Sequence, residues 1–198
     1  NTVLVGVLFP VALAARNALA GRFSPAMFLA RVVAVEGLLT RHGRLFEDDS
    51  GFTRSGLDID ALRMYLRWRG LPLAELRAHP GRYRDPDGVG ETFDATDGAV
   101  AEAAVEHGAA SAAGDAPEPT DGDYDDPWAA EQFLDDIEGS AYGTDAETLR
   151  AGLETVATAD EVWLSPGLPF IVPMFVGLLV ALTYGDLLYG LLTALGLA

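Results

Sequence analysis

The chain has 198 residues, no cysteine and a formal net charge of −17, yet 49% of its residues are hydrophobic and its mean hydropathy is +0.18. Without thiols, disulfides, thiolate metal sites and cysteine nucleophiles are excluded. His42, His79 and His107 lie far apart with no HxxxH or HExxH spacing, and neither GxxxxGK(S/T) nor GxGxxG occurs, so no metal, no cofactor and no nucleic-acid partner is expected.

All 13 basic residues are arginine. An acidic, lysine-free, alanine-rich chain suits concentrated salt, where carboxylates hold water after charge repulsion is screened, and it points to a halophilic source. The rival explanation is a disordered acidic segment that biases the totals. Charge is divided along the chain. Residues 16–84 carry 12 Arg against 7 acids, whereas residues 85–165 carry Arg150 alone against 22 acids.

The first residue is Asn1 and the chain opens directly into the uncharged run "VLVGVLFPVALAA", so a fragment of a longer protein is expected. These thirteen residues fall short of the ~20 that cross ~30 Å of hydrocarbon. Residues 1–21 therefore read as the back half of a transmembrane helix. A signal peptide is the disfavoured alternative, because the basic segment that should precede its apolar run is missing. Arg16, Arg22 and Arg31 follow the apolar run. Arginine at a membrane end favours the cytoplasmic side, which places the next segment there, beside anionic lipid.

Residues 22–84 are expected to form a basic cytoplasmic α+β segment. "ARVVAVEGLL" (30–39) reads as a strand and "GRLFED" as a candidate partner for it. "DIDALRMYLRWRG" predicts a helix with Asp58 as its cap and Gly70 at its end. Leu62, Tyr65 and Leu66 share its apolar face and Arg63 and Arg67 a basic one. That basic face is read as solvated in preference to lying on a membrane. "LPLAELRAH" predicts a short helix stopped by Pro80. Residues 85–126, rich in Asp, Gly, Pro, Ala and Ser, read as an acidic disordered linker in which the Ala-rich stretch 99–113 is transiently helical. Within residues 127–165, "WAAEQFLDDIEG" and "DAETLRAGLETVATA" predict short helices, the second capped by Asp145, and "EVWLS" a strand.

Residues 166–198 hold a 31-residue run with one charge, Asp186, and read as a second transmembrane helix with Pro169 and Pro173 near its start. The fold class expected is thus a mainly α membrane protein, with two transmembrane helices flanking a small acidic cytoplasmic α+β insertion that contains a disordered linker. A carboxylate facing lipid at mid-bilayer costs about 2.5–3.5 kcal/mol, so Asp186 needs a partner or water. Three readings compete: one half of a catalytic aspartate pair, an interhelical hydrogen bond, or a partly wet position at the far interface. Asp186 lies 18 residues beyond Leu168, about 27 Å along a helix. That is the side away from the cytoplasmic loop, and a structural or interfacial role for Asp186 and its neighbour Tyr184 is favoured.

"VWLSPGLPFIVPMFVGLLVALTYGDLLYG", "GLDIDALRMYLRWRG", "FLDDIEGSAYG" and "NTVLVGVLFPVALAARNALAGRF" together resemble the C-terminal portion of archaeal, in particular haloarchaeal, type IV prepilin or preflagellin (prearchaellin) peptidases. The resemblance implies a polytopic membrane aspartic endopeptidase that cleaves leader peptides from pilin-like and archaellin precursors at the cytoplasmic face. Its two aspartates lie at the end of an early helix and in a Gly-x-Gly-Asp-like motif. The nearest match is Thr183-Tyr184-Gly185-Asp186, which lacks the first Gly, so the catalytic role is not carried onto Asp186. The catalytic helices would precede Asn1. The partners implied are precursor substrates, membrane lipid and the remainder of the parent peptidase upstream of Asn1. The alternative is a non-enzymatic two-span membrane anchor whose cytoplasmic domain binds a partner.

Overall fold

The computed structural model describes residues 1–46, 56–95, 124–137, 141–167 and 171–196. The chain is mostly helical with one three-stranded sheet. It divides into an apolar unit, chiefly Asn1–Arg31 with Pro166–Ala198, and a second unit formed by most of the sequence between them.

In the apolar unit, helix α1 spans Thr2–Leu19 with Pro10 inside it. It is long and apolar enough to cross a membrane, and it runs on past the uncharged stretch to include Arg16 and Asn17. A 3-10 turn, Pro25–Phe28, follows. The expected second span is not one helix. It is divided into α7 (Ile171–Tyr184) and α8 (Leu187–Ala194), bent by 62° at the break, and the two qualify as a span only if taken together. The cause is local: Gly185 adopts φ +84°, a conformation that L side chains rarely adopt, and Asp186 caps the helix that follows. Thr2 lies against Gly177, and Asn1 reaches on to Gly185, so the start of α1 packs on the second half of α7. A Cβ on Gly177 would stand 2.6 Å from the Thr2 Cα. Close backbone approach at a small residue is how apolar helices pack without a hydrophobic driving force between them.

The second unit is built around α2 (Ile59–Trp68), α6 (Ala146–Thr158) and a sheet of β1 (Arg31–Ala34), β2 (Arg44–Leu45) and β3 (Glu161–Ser165). Its strand order is β1-β3-β2, with β2 antiparallel to β3 in the register Leu45 to Leu164. Two expectations are corrected here. The strand from Ala30 ends at Ala34 and gives way to a 3-10 turn, Val35–Thr40. Nor does the "GRLFED" segment pair with it, because β3 lies between them. Local β propensity cannot choose a partner, and here the distant β3 wins through its buried Val162 and Leu164.

Helix α2 forms as its pattern predicts. The Asp58 side chain accepts from the Asp60 N–H at 2.9 Å, and Gly70 leaves the helix at φ +58°. Its burial is deeper than an amphipathic pattern suggests. Arg63, expected on a solvated basic face, is buried. Its guanidinium donates to the Leu39 and Arg41 carbonyls and pairs with Asp60, so it satisfies the open end of the 3-10 turn at Val35–Thr40. Helix α3 (Leu73–Ala78) ends before Pro80 as expected, but Pro80 starts another short helix, α4 (Pro80–Arg84).

Part of the stretch read as linker is folded. A 3-10 turn covers Pro86–Gly88, the Phe93 N–H donates to the Trp68 carbonyl at 2.9 Å, and Val89 and Ala95 pack on the core. The Ala-rich stretch 99–113 lies outside the described residues. The chain returns through Pro127–Ala129 and α5 (Ala130–Asp136). Trp128 (φ +68°) and Ala129 (φ +52°) both adopt the left-handed conformation, which costs L residues about 1–2 kcal/mol each. Burial of both residues and a 2.8 Å hydrogen bond from the Tyr65 hydroxyl to the Trp128 carbonyl hold them there. Tyr65, Trp68 and Phe133 form an aromatic cluster with ring centroids 5.5–5.9 Å apart. Burial pushes the Tyr65 hydroxyl up to about 12, so it stays a neutral donor.

Two arginines fix α6. Arg150 donates to Asp126 and Glu131, both at 2.7 Å, and ties α6 to the start of α5. Arg77 of α3 donates to the Val156 carbonyl at 2.6 Å, at the other end of α6. The Asp145 cap forms as expected, accepting from the Thr148 N–H at 2.8 Å. Gly152 is required inside the helix, since a Cβ there would stand 2.4 Å from the Leu57 Cβ.

Candidate functional site: the helix break at Asp186

Breaking a helix in an apolar setting frees backbone N–H and C=O groups. Each costs several kcal/mol if it faces hydrocarbon unsatisfied. The sequence supplies side chains that meet this need. The Asp186 carboxylate accepts from the Leu188 N–H at 2.9 Å and the Tyr189 N–H at 3.3 Å. The Asn1 side chain closes the other side, donating to the Gly185 carbonyl at 2.6 Å and accepting from the Leu187 N–H at 2.8 Å. The Gly190 N–H then donates to the Asp186 carbonyl at 3.0 Å and starts α8.

The break lies about 21 Å from the start of α7 at 1.5 Å per residue. That is short of the ~30 Å hydrocarbon thickness. Beside it lies an open groove of ≈ 780 Å³, walled by Met174, Phe175, Leu178 and Ala181 of α7, with Thr2 and Asp186 at its edge. Tyr184 is not gathered into this arrangement and stands 86% exposed. Asp186 is the single carboxylate in residues 1–35 and 162–198. The two-carboxylate chemistry that activates water needs a second such group within reach, and these segments do not supply it. No cluster of three or more His, Cys, Asp or Glu that could hold a metal is found among the described residues.

Residues 125–187 match the family model of the archaeal peptidase A24 C-terminus, type II. The resemblance to an archaeal prepilin peptidase C-terminal portion is thereby shown. The matched segment contains α5, α6, β3 and α7 and ends one residue after Asp186. No curated protein and no solved structure gives a match. The finding supports a membrane protein related to the prepilin peptidases and a relationship to a protease family.

Sequence reasoning singles out Asp186 but misses Asn1, its complement. The chain contains two asparagines, Asn1 and Asn17, and both bind backbone. Asn17 is buried and donates to the Met27 and Ala30 carbonyls, both at 2.8 Å. A carboxamide in an otherwise apolar helix is the signal that the sequence offers. Its targets, 184 residues away for Asn1 and 10 and 13 for Asn17, are not legible from spacing.

Proposed function

We propose that the chain is the C-terminal membrane and cytoplasmic part of an aspartic endopeptidase that removes leader peptides from pilin- or archaellin-like precursors. The observation that carries this reading is the family match over residues 125–187. In such a peptidase one ionised carboxylate draws a proton from water while a protonated partner polarises the scissile carbonyl. Those two carboxylates belong to helices upstream of Asn1 in this reading. The present chain supplies two spans, α1 and the bent α7–α8 pair, and a cytoplasmic insertion between them. Asp186 and Asn1 are structural: they satisfy the backbone at the break.

The test is leader cleavage by membranes containing the full-length protein, with a pilin-type precursor as substrate. A shortened precursor is expected. Undiminished precursor, with the protein abundant in the membrane, would favour the second reading, a membrane-anchored binding domain. Within the peptidase reading, Asp186→Asn keeps a side-chain oxygen that can cap α8, so most cleavage activity should remain. Complete loss at normal abundance would make Asp186 a catalytic carboxylate instead.

A further inference from the structure

We infer that the turn after α1 docks on the headgroup layer of an anionic bilayer. The inference rests on the membrane reading proposed above and assigns a specific surface to it. After Leu19 the chain reverses at Gly21, which adopts φ +72°. Asn17 then stitches the following residues back onto α1 through the Met27 and Ala30 carbonyls, and Ser24 caps the short 3-10 turn. This tied loop leaves its largest apolar side chains outside. Leu19 is 91% exposed, Phe23 76% and Phe28 48%.

A loop tied this firmly could have turned two phenylalanines inward, but it does not. Val7, Leu8 and Val11 of α1 are exposed as well. Arg16 is exposed in the last turn of the same helix, and Arg22 follows in the loop. Charge complementarity selects the occupant. Residues 1–35 contain no acid, in a chain whose net charge is −17. Aromatic rings favour the boundary between hydrocarbon and headgroups. Arginine forms charge-assisted hydrogen bonds to phosphate oxygens, and anionic lipid attracts basic residues next to a span. A bilayer surface bearing phosphate accommodates both features at one depth.

The chain has no cysteine, so single nitroxide labels report position without background. Phe23→Cys and Phe28→Cys would be labelled in the full-length protein and reconstituted in phosphatidylglycerol vesicles. Val7→Cys in α1 and Ala74→Cys in α3 serve as references. At 23 and 28 molecular oxygen should relax the label more than a water-soluble nickel complex does, the reverse of position 74. The shift should shrink in phosphatidylcholine and in the Arg16→Gln background. Water-like accessibility at 23 and 28 with a lipid-like label at 7 would overturn this inference alone. Water-like accessibility at 7 as well would overturn the membrane reading beneath it. Equal accessibilities in the two lipids would overturn the anionic preference and the proposal with it.

Discussion

The two units of this chain use polar side chains in opposite ways. In the apolar unit the described helices turn Ile171, Phe175, Leu178 and Leu182 outward, and a few polar groups repair the backbone wherever it leaves the helix. Asn1 and Asp186 mend the α7–α8 break, and Asn17 ties the turn after α1. In the other unit the apolar side chains point inward, with Leu57, Leu62, Phe133, Leu149 and Leu153 fully buried. There arginines do the corresponding work on carbonyls and helix ends, through Arg63, Arg77 and Arg150. The contrast teaches that irregular backbone is satisfied in both units, but by different kinds of side chain. A carboxamide satisfies a donor and an acceptor at once, and the Asp186 carboxylate accepts from two amides at the start of a helix. A guanidinium gathers several carbonyls at once where a carboxylate can balance it.

The largest predicted effect strikes the arginine side of this contrast. Arg63→Leu removes the donors to Leu39 and Arg41 and leaves Asp60 without its buried partner. Each carbonyl left without its donor costs about 1–3 kcal/mol, and two such losses together make this the largest effect. All three tryptophans (Trp68, Trp128, Trp163) lie in the second unit, so the urea midpoint of their fluorescence in the detergent-solubilised chain reports that unit. A midpoint within error of the parent would mean that the carbonyls find other donors.

Next comes packing. Gly152→Ala brings a Cβ to 2.4 Å from Leu57, and overpacking of this kind costs about 1–3 kcal/mol. The alanine's better helix propensity offsets less than about 1 kcal/mol of it. The same fluorescence transition should shift to lower urea. An unchanged or higher midpoint would show that Leu57 can move aside.

Much of this unit is legible in the amino-acid sequence. Asp58 and Asp145 announce two helices because a cap is a local device, needing only the next three residues. The "EVWLS" strand shows in its β-branched and aromatic residues. The partner of β2 and the burial of Arg63 are not legible, since periodicity places an arginine in solvent and cannot see carbonyls brought in from another segment. At the candidate site "YGD" marks the break, because glycine and a capping aspartate act locally. The other half of the clasp, Asn1, joins the two ends of the sequence, and no local rule reaches that far.

The smallest expected effect concerns the acidic half and its lone arginine. Burial raises the Asp126 carboxyl, but hydrogen bonds from Arg150 and from the Glu131 and Gln132 amides outweigh it and hold the group below its ordinary value of 3.8. A carboxyl depressed in the folded state is ionised there while the unfolded chain takes up a proton. Its stabilisation is therefore complete above the ordinary value and is lost as pH falls through the depressed one. Arg150 stays charged throughout that range, since the same contacts raise its own value. Asp126→Asn should lower the urea midpoint modestly at pH 7 and by progressively less as pH falls below 3.8, converging with the parent only once the depressed value has been passed. Asp145, also depressed, chiefly by the Thr148 amide, leaves a residual acid sensitivity in the variant. Parallel midpoints as pH falls through the depressed value would mean that Arg150 gains as much from Glu131 alone, and that the tie between α5 and α6 does not depend on the Asp126 charge.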